Sequence, residues 1–262
     1  MFFGTGNPAP FPGVPGYPNG SSRSGDNLYT DSLVALDGRT GKLLWYQQVV
    51  AHDLRDYEVA VSPVTSYLSI GGVSTEVILA AGKNGHVYAF RATDGQRIWR
   101  RAVGTHQYDV GPLPDTPVAV MPGMGGGDVT PMALADGRLF VPWVNLATQE
   151  SSTGYTFPDV TTGTGGLTAI DATTGKPLWE RQLPRTALGA ATVSNDVVFT
   201  STFDGNIYAF DTRTGVTLWT GTARAGINGF PVIAGDMLLV GAGVPGFFPK
   251  PQPELIAYEL TE

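Results

Sequence analysis

One seven-residue stretch concentrates reactive side chains in this sequence. His52-Asp53-Leu54-Arg55-Asp56-Tyr57-Glu58 puts three carboxylates and an imidazole side by side, in a chain of 262 residues with only 15% charged residues. Carboxylates at this density, joined by a neutral amide oxygen such as that of Asn7, suit a hard cation of the calcium class. The same residues also read as a polar connection in which Asp53 and Asp56 cap turns. Lys83 supplies a cation within Lys83-Asn84-Gly85, which is equally an ordinary turn sequence.

Other chemistries find less support. Gly4-x-Gly6 is no dinucleotide fingerprint, because no strand precedes it and Pro8 and Pro10 forbid the helix that must follow. There is no Gly-x-Ser-x-Gly elbow for a serine hydrolase. Cysteine is absent, which removes thiol nucleophiles, disulfides and cysteine zinc sites. His86 and His106 have no partner at metal-ligand spacing and read as turn or surface residues. A net charge of −7 gives no electrostatic footprint for nucleic acid. No apolar run approaches the ~18 residues of a membrane span, and no signal peptide precedes the first motif.

The elements that must position these groups are short strands. The chain contains 35 Gly and 20 Pro with 42% hydrophobic residues, a pattern of brief apolar runs divided by tight turns. Four segments superimpose without a gap: Val34-Ala-Leu-Asp37, Tyr88-Ala-Phe-Arg91, Thr168-Ala-Ile-Asp171 and Tyr208-Ala-Phe-Asp211. Each is followed by a glycine and then a tryptophan (Trp45, Trp99, Trp179, Trp219) at fixed offsets. A fifth copy, Leu255-Ile-Ala-Tyr-Glu-Leu260, lies near the chain end. Each copy reads as a hairpin. Further apolar runs precede most copies, with Asn84-Gly85 and Asp204-Gly205 turning into the repeat strand.

Three or four strands per repeat of ~40–50 residues define an all-β, β-propeller architecture of four-stranded antiparallel blades. The approximate blades are 1–60, 61–110, 111–185, 186–225 and 226–262, with insertions near 103–127 and 146–165. The repeated tryptophans are packing residues between blades. Trp143 stands outside the repeat.

The repeat Ala-x-Asp-x-x-Thr-Gly-x-x-x-Trp resembles the tryptophan-docking motif of the quinoprotein alcohol dehydrogenases, which use pyrroloquinoline quinone (PQQ). Three further segments look like consecutive signatures of that family: Gly4-Thr-Gly-Asn-Pro-Ala-Pro10, Gly25-Asp-Asn-Leu-Tyr-Thr30 and His52-Asp-Leu-Arg-Asp-Tyr57. Lys83-Asn84-Gly85 also matches. The resemblance implies the C-terminal portion of an eight-bladed propeller, about five blades, with the N-terminal blades missing. It assigns Asn7 as a metal ligand and Asp56 as both metal contact and general base. Lys83 and Asn84 fall where the family contacts the quinone. Glu58 falls where the lanthanide-using branch carries an extra Asp, although calcium is the metal the resemblance favours. The implied reaction is oxidation of a small primary alcohol to an aldehyde, with a cytochrome c or a quinone as electron acceptor, in the periplasm or cell envelope.

Some positions depart from the family pattern. Asp128-Val129 stands where the family often has Asn-Trp against the cofactor, so Asp128 is placed at the cofactor with an altered side chain. The family's other metal-ligating glutamate, stacking tryptophan and vicinal disulfide have no counterpart here. A non-catalytic propeller serving as a binding or assembly scaffold is therefore the alternative, since such proteins carry a similar repeat. An isolated arc of blades is expected to be marginal, to aggregate or to pair with a second piece.

Overall fold

The structure, a computed structural model, describes residues 1–245 and 247–259. Its strands are β1 (Phe2–Gly4), β2 (Ser32–Leu36), β3 (Leu43–Gln48), β4 (Val64–Ile70), β5 (Val73–Gly82), β6 (His86–Arg91), β7 (Arg97–Ala102), β8 (Val118–Val120), β9 (Ala133–Ala135), β10 (Arg138–Asn145), β11 (Thr148–Ser151), β12 (Gly154–Thr156), β13 (Thr164–Asp171), β14 (Pro177–Leu183), β15 (Thr192–Ser194), β16 (Val197–Ser201), β17 (Asn206–Asp211), β18 (Thr217–Thr222), β19 (Val232–Ala234), β20 (Met237–Ala242) and β21 (Glu254–Glu259). Every sheet is antiparallel between sequential or near-sequential strands, as blades of a propeller require.

The chain divides into two compact units. The first comprises Met1–Val129 with Asn145–Pro158. It holds the sheets β1-β2-β3 and β4-β5-β6-β7 and a small sheet ordered β12-β11-β8. The second comprises Thr130–Val144 with Asp159–Glu262. It holds β14-β13-β10-β9, β15-β16-β17-β18 and β19-β20-β21. The sequence leads to blades of four strands, yet the sheets containing β1 and β21 have three among the described residues. The insertions expected near 103–127 and 146–165 meet in the three-stranded sheet, where β11 pairs with both β8 and β12.

The repeat explains the hairpins residue by residue. In all four, the repeat alanine lies opposite the tryptophan, as in Ala35↔Trp45 and Ala169↔Trp179, and the register shifts immediately after it. In three of them the following residue is an aspartate that closes the turn, and the second copy has Arg91 there. Oδ1 of Asp37 accepts from the Arg39 and Thr40 amides and the Thr40 hydroxyl at 2.7–3.0 Å, and Asp171 and Asp211 repeat the arrangement. These bonds hold the Asp37 and Asp211 carboxyls below their ordinary range.

Two of the repeat tryptophans dock as expected, whereas Trp219 is exposed. Trp45 Nε1 donates to the Ala92 carbonyl at 2.9 Å, and Trp179 Nε1 to that of Thr212 at 3.0 Å. Gly95 lies beneath Trp45, where a Cβ would stand 2.7 Å from the indole, so its turn must be glycine for space as well as for its positive φ. Leu33, Ile78, Tyr88 and Phe90 form the core beside Trp45 in the first unit. Phe140, Leu167, Trp179, Val198 and Phe210 form the equivalent in the second. Trp143 is buried and donates to the Thr168 hydroxyl at 2.8 Å, a core role.

Candidate active site

Backbone close approach builds the site in the first unit. The amide of Lys83 donates to the Glu58 carbonyl at 3.1 Å, and that of Asp128 to the Gly82 carbonyl at 3.1 Å. Asp31 donates to the Gly6 carbonyl at 3.0 Å, and Val59 to that of Thr5 at 3.3 Å. The segments carrying Asn7, Glu58, Lys83 and Asp128 are thereby laced together. Gly127 has φ +75°, and a Cβ on it would fall inside contact distance of the Lys83 carbonyl, so only glycine permits this packing.

Lys83 is the centre of charge. Its Nζ lies 2.7 Å from Oδ2 of Asp56 and 2.8 Å from Oε1 of Glu58, with all three side chains mostly buried. Oε2 of Glu58 lies 3.5 Å from the point where a side chain on Gly6 would begin, beside Asn7. Asn7 is half-buried, and its Nδ2 donates to the Pro8 carbonyl at 3.3 Å. Burial opposes the Lys83 charge, but its bonds to Asp56 and Glu58 outweigh this and raise its titration. Burial raises Asp56 above the usual carboxylate range, against the pull of Lys83 and with a push from Glu58 and Asp53.

The two readings of the acidic stretch divide between its members. Asp53 is the turn cap: it is fully buried, with Oδ1 accepting from the Arg55 amide at 2.8 Å and Oδ2 from that of Tyr57 at 2.7 Å. Asp56 caps nothing. Its φ of +65°, which L side chains rarely adopt, turns its carboxylate to Lys83. His52 braces the loops, with Nδ1 2.9 Å from the Gly25 carbonyl and Nε2 3.0 Å from that of Asn19.

Asn84 is committed to its own turn. Its Oδ1 accepts from the His86 amide at 3.1 Å and its Nδ2 donates to the Tyr88 hydroxyl at 2.8 Å. Asp128 is fully buried next to Gly82. A cavity of about 450 Å³ lies along the Asp53–Tyr57 segment, lined also by Asn84, His86 and Arg100. Asp56 and Lys83 are not among its walls.

Two further acids belong to this region and are missing from the sequence reading. Asp31 is fully buried, neither carboxylate oxygen has a hydrogen-bond partner, and burial together with Asp53 pushes it up to about 8. Glu150, on β11, is 2% exposed with Oε2 unpartnered. Burial pushes it up to about 8, with the charges of Arg55, Asp53 and Asp56 as its surroundings. A lone acid inside a strand pattern is the only signal that could have marked either.

Asp56 and Glu58, both on Lys83, are hard oxygen donors whose chemistry fits a calcium-class cation, and Asn7 follows Gly6, whose side-chain position lies 3.5 Å from Glu58. Among the described residues no group of three or more His, Cys, Asp or Glu side chains is placed to hold a metal ion. Lys83 is a fit for the oxygens of an anionic cofactor.

Comparison with known proteins agrees with the propeller fold. The family model for the glucose/ethanol/alcohol dehydrogenase β-propeller domain matches residues 2–107, and that for the outer membrane protein assembly factor BamB matches residues 83–244. The chain belongs to the family of PQQ-type β-propellers that includes the quinoprotein alcohol dehydrogenases. The quinoprotein alcohol dehydrogenase PedH of Pseudomonas putida is 28% identical over 88% of this chain and 44% of its own length. The quinohemoprotein alcohol dehydrogenase of Comamonas testosteroni is 28% identical over 88% of this chain and 38% of its own. A solved quinohemoprotein alcohol dehydrogenase from Pseudomonas putida, ADHIIG, superposes with a TM-score of 0.81 at 21% identity, covering 99% of this chain and 46% of that one. The chain thus spans less than half the length of these relatives. Among the described residues no helix is long and apolar enough to cross a membrane.

Proposed function

We propose that this chain is the site-bearing portion of a PQQ-dependent alcohol dehydrogenase that oxidises a small primary alcohol to its aldehyde. The observation that carries the reading is the Asp56–Lys83–Glu58 cluster, set beside Asn7 in a family of quinoprotein propellers. Asp56, Glu58 and Asn7 would hold the cation, calcium rather than a lanthanide, and Lys83 would contact the quinone oxygens. Asp128 would border the cofactor. Asn84 would shape that border through its turn.

When bound, the quinone is the hydride acceptor and the cation the Lewis acid that polarises it. The protein's own part is proton transfer and orientation. Asp56 accepts the alcohol's hydroxyl proton at Oδ2, the oxygen next to Lys83, as the carbon-bound hydrogen leaves with its electron pair. The raised titration of Asp56 gives it the proton affinity a general base needs. Lys83 keeps net charge low in a mostly buried place and so holds the carboxylate in position. Electrons would pass on to a cytochrome c or a quinone, in the periplasm or cell envelope.

The second reading is a non-catalytic scaffold. It is favoured by the assembly-factor model over residues 83–244 and by Asp128-Val129. The deciding experiment uses the polypeptide of the complete reading frame with PQQ and calcium or lanthanum, followed by dye-linked alcohol oxidation. Turnover that requires Asp56 supports the enzyme. Absence of both quinone binding and turnover supports the scaffold.

A further inference from the structure

We propose that His86 and His106 form a two-histidine site for a divalent transition-metal ion, separate from the Asp56–Lys83 cluster. The two residues are twenty positions apart, yet their rings meet edge-to-face with centroids 4.9 Å apart. Two contacts make the pairing. The Gln107 amide donates to the Met121 carbonyl at 2.6 Å and the Met121 amide returns the bond at 2.8 Å, fixing the loop after β7. His106 then lies on the Asn84-Gly85 turn, its Cε1 3.1 Å from where a Gly85 side chain would begin.

Both imidazoles are oriented through Nδ1. That of His86 lies 2.9 Å from the Asn84 carbonyl, which can only accept, so this nitrogen carries the proton. That of His106 lies 2.6 Å from Oδ2 of Asp109 and donates to it. With Nδ1 engaged, Nε2 is the nitrogen that each ring can offer to a metal ion. Among the described residues, Nε2 of His106 is buried without a hydrogen-bond partner. A histidine whose Nδ1–H is tied to a carboxylate or carbonyl while Nε2 stays free is the arrangement that metal-ligating histidines take. Imidazole pairs select zinc, copper or nickel over calcium or magnesium.

The surroundings permit the ion. His86, Asn84, Tyr88 and Asp109 stand on the wall of the 450 Å³ cavity and His106 does not, so waters would complete the coordination from the His86 side. Asp109 offsets the added charge, while Arg100 opposes it. Burial, with His106 and Arg100, lowers the titration of His86 and keeps its ring neutral. The chain has only three histidines, and His52 has both ring nitrogens against carbonyls, so no other pair is available. This inference does not rest on the dehydrogenase reading.

The test is calorimetric titration of the full chain with zinc chloride at pH 8 in two buffers of different ionisation enthalpy. We expect one ion per chain, with a heat that does not depend on the buffer, because no proton leaves Nε2. His86→Gln and His106→Gln should each weaken binding at least about tenfold. Asp109→Asn keeps both ligands but loosens one, and should weaken it by about ten- to hundredfold. His52→Gln, Asp56→Asn and Glu58→Gln should leave it unchanged. Nitrogen-15 spectra of the unaltered protein give a readout free of folding effects: zinc should shift Nε2 of two histidines and leave the third. No binding at millimolar zinc, binding that survives His86→Gln and His106→Gln, or binding lost in Asp56→Asn or Glu58→Gln would overturn the proposal.

Discussion

Nζ of Lys83 lies 2.7 Å from Oδ2 of Asp56, across 27 positions of sequence. Lys83 begins a turn at the end of β5, and Asp56 sits at a positive-φ position in the loop after β3. A side chain of either charge alone would be held in a mostly buried place without compensation. Paired, and joined by Glu58, they form a small polar cluster in which the charges compensate one another.

Removing the cation should therefore cost stability as well as ligand affinity. Lys83→Met leaves Asp56 and Glu58 facing each other with no counter-charge. Breaking a buried pair costs about 3–5 kcal/mol, and the partial exposure here reduces the expected loss to about 2 kcal/mol. Urea denaturation of the variant measures it. An unchanged midpoint would show that the cluster is held by something other than this pair.

Stability should fall as the solution becomes more alkaline. Asp31 and Glu150 both titrate near pH 8 in the folded chain, whereas in the unfolded chain they titrate near 4. Between those values the folded chain binds the extra protons, so their contribution is fully present below about pH 4 and is lost as pH rises through about 8. Asp31→Asn and Glu150→Gln should flatten the decline and stabilise the chain at pH 9. Denaturation midpoints at pH 5, 7 and 9 check the sign.

The tryptophan dock is a test of the repeat. Trp179 is 8% exposed and donates to the Thr212 carbonyl. Trp179→Phe should cost about 1–3 kcal/mol by leaving that carbonyl without its donor. Trp179→Ala should cost about 3–5 kcal/mol through the cavity it opens. Thermal melts that rank the two the other way would contradict the assigned contact.

What the sequence revealed and what it hid follow one physical division. Trp179, Asp171 and their counterparts were legible because a hairpin fixes local offsets: the turn dictates the aspartate and glycine, and the register dictates alanine opposite tryptophan. The blades followed from these. Asp56 and Lys83 stood out through neighbouring motifs, but which aspartate caps the turn needed the backbone, since Asp53 and Asp56 are the same residue type three positions apart. Asp31 and Glu150 were invisible because their burial comes from segments distant in sequence. The pairing of His86 with His106 depends on the Gln107–Met121 contact, a long-range register that no spacing rule encodes. The roles of Asn7, Asp56, Glu58, Lys83, Asn84 and Asp128 are proposals.

The role of Asp56 bears the whole functional account, and the most direct measurement is steady-state alcohol oxidation by Asp56→Asn in the polypeptide of the complete reading frame, loaded with PQQ and calcium. The substitution preserves shape but replaces the carboxylate by a neutral amide, removing its proton affinity together with its charge toward Lys83. Turnover should fall by about a hundredfold to ten-thousandfold, with quinone affinity within a few-fold of the unaltered protein. Full turnover in Asp56→Asn would contradict the assignment of this carboxylate as the general base.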